Sequence, residues 1–86
     1  MNIKELITTI KNKLEEKIVI QDLKIEDKSF LHKKHKGYIE GKFHLKLTLK
    51  SEELNKVNKI DSNKKIYNIL NFEIKHYIHS IQIIIN

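Results

Sequence analysis

Eighty-six residues carry seventeen lysines, no arginine, eleven acidic side chains, five histidines, no cysteine and no proline, for a formal charge of +6. Lack of cysteine excludes a disulfide framework, a thiolate metal cage or a cysteine nucleophile supplied by the chain alone. The longest apolar run, Ile83-Ile84-Ile85, is far short of the roughly 20 residues of a membrane span, and residues 1–10 hold no secretory apolar core. The expectation is a cytoplasmic protein forming a single domain over residues 1–86. The positive charge suggests phosphates or an acidic partner, but abundant Ile, Lys and Asn are also what an A/T-rich genome writes.

Ile3, Leu6, Ile7, Ile10 and Leu14 share one stripe at helical spacing, which predicts a helix over 2–16. Ile18 and Ile20 alternate, whereas Leu23 and Ile25 have the opposite parity, so a turn near Gln21 must precede a strand over 22–27. Residues 28–42 follow neither period. They contain both glycines, Gly37 and Gly41, and five lysines, and read as a long, mobile, basic loop suited to function. Phe43, Leu45, Leu47 and Leu49 then alternate with His44, Lys46, Thr48 and Lys50, the pattern of a strand with one buried and one wet face. On that pattern His44 is solvated.

Ser51 before Glu52 and Glu53 marks a helix start, capped by the hydroxyl. A short helix through Leu54 and Val57 leads to a longer one over 59–73, with Ile60, Ile66, Tyr67, Leu70 and Ile74 inward. An Ile-rich strand over 77–85 ends the chain. The order helix, strand, strand, helix, helix, strand predicts an α+β domain, a three-stranded sheet with helices on one face.

No nucleophile elbow, Cys/His pair, HExxH or glycine-rich phosphate loop occurs, so no catalytic residue is assigned and an enzyme is not expected. The histidines say more. His32 and His35 lie three apart in the loop, and His79 opens the last strand with the parity of Ile81 and Ile83, which aims it toward the apolar side at the sheet's edge. A lone histidine there is more often a satisfied, half-buried residue than a ligand. Yet neutral imidazoles ligate iron, zinc and copper well, and a loop plus a strand end can hold two of them. A closed tetrahedral zinc site wants about four ligands, which this cysteine-free chain struggles to supply. His76, near a helix end, suits the negative pole of that helix.

Asp27-Lys28-Ser29-Phe30-Leu31-His32-Lys33-Lys34-His35 resembles the D-x-S-x-x-H-x-G-H loop of BolA-like proteins. His44 to Ser51 resembles that family's H-F-x-V-x-I-V-S strand, and Ile66-Tyr67, Leu70 and Ile78-His79-Ser80-Ile81 its I-Y…L…V-H-A-L ending. The register holds from Gly41 to Ile83, and the resemblance covers about three quarters of the chain. It implies a fold related to the class II KH arrangement and a partnership with monothiol glutaredoxins in iron–sulfur trafficking. In such a heterodimer a [2Fe-2S] cluster is bridged by the glutaredoxin cysteine, a glutathione thiol and two ligands from the BolA-like chain. Carried over by position, these would be His79 and His32, with His35 a nearby substitute. The isolated chain is expected to hold no cofactor, to avoid membranes and to be a monomer or weak homodimer.

Departures from the pattern bear on a second reading, a DNA- or RNA-binding regulator acting through a helix-turn-helix-like segment. The family's turn glycine is Lys56 here, expected to distort the turn or cost about 1 kcal/mol if the backbone needs positive φ. Its R-H-R is Ser62-Asn63-Lys64, with Asn63 expected to make a buried hydrogen bond. Lys56, Lys59, Lys64 and Lys65 favour phosphate contact. Without arginine to read guanine, a GxxG clamp or interleaved aromatics, only nonspecific, salt-sensitive binding is expected. A third reading is a metal-free module whose basic face docks an acidic protein.

Overall fold

The computed structural model describes residues 2–29 and 42–86. Of the loop read over 28–42, Lys28, Ser29 and Lys42 belong to them; Gly37, Gly41, His32 and His35 lie outside them.

Helix α1 (Ile3–Lys17) starts at Asn2, whose side chain accepts the Glu5 N–H at 2.8 Å and donates to the Glu5 carboxylate at 2.9 Å. This reciprocal cap satisfies donors that the first helical turn leaves open. Leu6, Ile10 and Leu14 are buried from its inner stripe. Each such side chain contributes about 1.5–3 kcal/mol relative to exposure. Strands β1 (Asp22–Asp27) and β2 (Phe43–Lys50) pair antiparallel, and β3 (Ile78–Ile85) lies parallel to β2 in the order β1-β2-β3. Leu23 and Ile25 stand opposite Leu49 and Leu47, while Leu45, Leu47 and Leu49 pair with Ile81, Ile83 and Ile85. This apolar face packs with α1 into one core.

A parallel β2–β3 pair requires a crossover, made here by α2 (Glu52–Asn55), α3 (Lys59–Ile69) and α4 (Asn71–His76). Ser51 caps α2 as expected: its hydroxyl accepts the Leu54 N–H at 3.2 Å and donates to the Val19 carbonyl at 2.8 Å. Ser62, buried on α3, donates to the Leu54 carbonyl at 2.7 Å and locks the α2–α3 corner.

Four expectations need correction here. The helix read over 59–73 breaks at Leu70, whose φ of −97° and ψ of 14° leave the helical region between α3 and α4. The inner stripe is Ser62, Ile66, Leu70 and Glu73; Ile60 is 68% exposed and Tyr67 42%. Apolar periodicity missed this because two of the buried positions are polar, Ser62 donating to the Leu54 carbonyl and Glu73 accepting from Lys13 Nζ at 2.6 Å through Oε2, while its Oε1 has no partner among the described residues. Lys56 has φ −78° and ψ −13°, ordinary right-handed helical backbone, so its turn needs no glycine and carries no penalty. Asn63 is half-buried and bonds back to the Lys59 carbonyl at 2.7 Å, without a core role.

Candidate functional site

The start of β3 is where the sheet departs from regularity. Phe43 pairs with Ile78, but the next residue of β2, His44, pairs with Ser80. His79 is therefore the extra residue of a β-bulge, and a bulge re-aims a side chain. Ile78 is buried and Ile81 faces the core, whereas His79 is exposed, its ring set edge-on to that of His44 with centroids 4.7 Å apart. The expectation that His79 points to the apolar side is overturned. The parity argument assumed an unbroken strand, and one inserted residue reverses it.

His44 is also not solvated. It is only 4% exposed, although it projects from the polar face of β2. Its backbone N–H donates to Ser29 Oγ at 3.1 Å, and its Nδ1 lies 2.6 Å from Ser80 Oγ. Ser29 is itself held by donating its N–H to Asp27 Oδ1 at 2.9 Å, a local turn that short polar side chains make readily. Asp27, Ser29, His44 and Ser80 thus form one hydrogen-bonded chain that fixes the end of β1 against the start of β3. The motif letters held the signal for Asp27, Ser29 and His44. Ser80 had none, since it stands where the quoted pattern has alanine.

The described residues that flank segment 30–41 are anchored nearby. The backbone leaves β1 at Ser29, against His44, and re-enters at Phe43, whose N–H donates to the Tyr77 carbonyl at 2.9 Å. Phe43 pairs with Ile78, next to His79 in sequence, and Ser29 is linked to His79 through His44. Alongside, Glu26 accepts from Lys28 at 2.7 Å and lies 3.4 Å from Lys24. The Lys28 hydrogen bond outweighs partial burial and, with Lys24, holds its carboxyl below the ordinary 4.5. Among the described residues no three His, Asp or Glu side chains gather as a metal site. His79 offers one accessible imidazole, so the donor chemistry fits a site shared with other ligands rather than a closed one. His76, in the last turn of α4, packs on Phe72 with ring centroids 4.4 Å apart.

Lys56, Lys59, Lys64 and Lys65 are all exposed around the α2–α3 corner, and Lys65 is paired with Glu53 at 3.1 Å.

A family model for BolA-like proteins matches residues 14–86, and the chain belongs to that family. The DNA-binding transcriptional regulator BolA of Haemophilus influenzae is 29% identical over 72 residues, covering 84% of this chain and 67% of that relative. Among solved structures, the BolA domain of SufE1 from Arabidopsis thaliana has a TM-score of 0.78 at 24% identity, covering 100% of this chain and 93% of its own. BolA1 from the same plant has a TM-score of 0.76 at 22% identity, covering 92% and 87% respectively. These likenesses show the α+β fold with its three-stranded mixed sheet.

Proposed function

We propose that this chain is a partner of a monothiol glutaredoxin that lends two histidines to a bridging [2Fe-2S] cluster for iron–sulfur trafficking or iron and redox regulation. His79 is one ligand; His32, with His35 as the alternative, is the other. The glutaredoxin cysteine and glutathione supply the thiolates. The observation that carries this reading is the bulge. It takes His79 out of the core-facing row and presents an exposed imidazole beside both anchored ends of the segment containing His32 and His35. The buried His44 ring packs against it and limits its orientations. Neutral imidazoles in place of thiolates reduce the negative charge at the cluster and raise its potential.

The test is anaerobic reconstitution with a monothiol glutaredoxin, glutathione, iron and sulfide. A heterodimer should form whose visible absorption and circular dichroism differ from those of the glutaredoxin homodimer. Spectra unchanged in both His79→Ala and His32→Ala would remove the ligand assignment.

A second reading has its own observation: Lys56, Lys59 and Lys64 stand exposed on one helical corner, in a chain similar to a protein named as a DNA-binding regulator. Binding to duplex DNA across a salt series tests it. Affinity that vanishes toward physiological salt with no sequence preference would leave only counterion release.

A further inference from the structure

Among the described residues the sheet has two edges, β1 and β3, and only one is guarded by charge. On β1, four of the six residues are charged: Asp22, Lys24, Glu26 and Asp27. Charges on an edge strand deter pairing with another chain. On β3 (IHSIQIII) there is no Asp, Glu or Lys, in a protein that is otherwise 33% charged. Its residues are mostly isoleucine, among the strongest strand formers, and no proline interrupts it.

The hydrogen-bond phase shows which groups face outward. Asn86 N–H donates to the Leu49 carbonyl at 2.8 Å, so residue 86 turns its backbone toward β2. Backbone groups alternate sides along a strand. Ser80, Gln82 and Ile84 therefore bond to β2, and Ile81, Ile83 and Ile85 direct N–H and C=O to the open edge. Those three side chains are also the half-buried ones packed on the rim of the core. An added strand would satisfy the backbone row and cover the rim together.

We infer that the β3 edge pairs with β3 of a second copy of this chain, antiparallel about a two-fold axis at Ile83, joining two sheets into one of six strands. That register uses all three outward-facing residues, pairing Ile83 with its own equivalent and Ile81 with Ile85, and it leaves the bulge at His79 outside the ladder. The charge distribution selects the occupant. A chain of net charge +6 repels its copy over most of its surface, and an uncharged strand, flanked by Lys59 in the cleft beside Ile83, Ile84 and Ile85, is where two copies meet with few like charges. An acidic partner, by contrast, finds its complement on the lysine-bearing faces.

On the outward face, Gln82 of one copy lies opposite Ile84 of the other in this register. Sedimentation equilibrium should show reversible dimerisation of the wild type at NMR concentrations. Amide exchange at Ile81, Ile83 and Ile85 should slow as concentration rises, while the outward amides of Leu23 and Ile25 on β1 should not change. The double variants Gln82→Lys/Ile84→Lys and Gln82→Glu/Ile84→Glu place like charges opposite each other twice. Each should weaken the dimer about tenfold with far-UV circular dichroism unchanged. An equimolar mixture of the two should associate again. A wild type that stays monomeric, protection of these amides only by a foreign extended peptide, or a mixture that fails to re-associate would overturn the inference.

Discussion

Where β3 begins, polar groups from three strands are tied to one another. Asp27 holds Ser29, Ser29 holds the backbone of His44, His44 meets Ser80, and the His44 ring packs on His79. At the α2–α3 corner the backbone is equally well fastened, through Ser51 and Ser62, but the lysines stand out from it into solvent. The first region sets one exposed imidazole against a buried, hydrogen-bonded ring. The second presents charge without geometry. A ligand that demands direction, such as a metal centre, fits the former; a polyanion that demands only proximity fits the latter.

The sharpest way to break this contrast is His79→Ala, which should abolish the heterodimer-specific visible spectrum while leaving the fold intact, since the ring is exposed. Retention of the spectrum would show that the bulge presents nothing of consequence. Ser29→Ala should come next. It strips the buried His44 N–H of its acceptor and should lower the unfolding free energy by about 1–2 kcal/mol in urea titrations, with a weakened rather than absent cluster spectrum. Ser62→Ala should cost about 1 kcal/mol by the same physics but leave that spectrum unchanged, because it loosens only the lysine corner.

A smaller effect is expected from Lys56→Gln, Lys59→Gln and Lys64→Gln. Each should flatten the salt dependence of DNA binding by about 0.9 in log–log slope if its ammonium touches a phosphate, with no change in cluster assembly. Smallest is the effect at Glu26. Its carboxyl titrates below 4.5 in the folded chain, held down first by Lys28 and then by Lys24. Its stabilising contribution is therefore present above 4.5 and fades as pH falls through the lowered folded value. Lys28→Gln should move the carboxyl titration seen by NMR upward; an unmoved curve would show that the Lys28–Glu26 contact is not formed in solution.

Much of this architecture is legible in the sequence. Strict alternation through β2 and the five-residue stripe of α1 each allow one reading, because the apolar period there marks the row packed into the core. Ser51 was legible as a cap because a helix start needs such an acceptor. Where the reading failed, burial and hydrophobicity had parted company. Ser62 and Glu73 occupy core positions with Leu54 and Lys13 as partners, Glu73 through Oε2 alone, and no apolar pattern can reveal a partner that distant in sequence. His79 was assigned to the wrong face because a bulge has no hydropathy signature in a strand whose neighbours are nearly all isoleucine. His44 looked wet because alternation specifies the face but not what lies over it. The choice between His32 and His35 falls outside the described residues.

The proposed function requires imidazole nitrogen from this chain to reach iron. Pulsed electron paramagnetic resonance on the reduced heterodimer, with this chain alone labelled with 15N-histidine, reads that contact directly. Two strongly coupled 15N nuclei are predicted in the wild type and no histidine-coupled cluster signal in His79→Ala. A wild-type spectrum with no histidine 15N coupling from this chain, or one unaltered by His79→Ala, would contradict it.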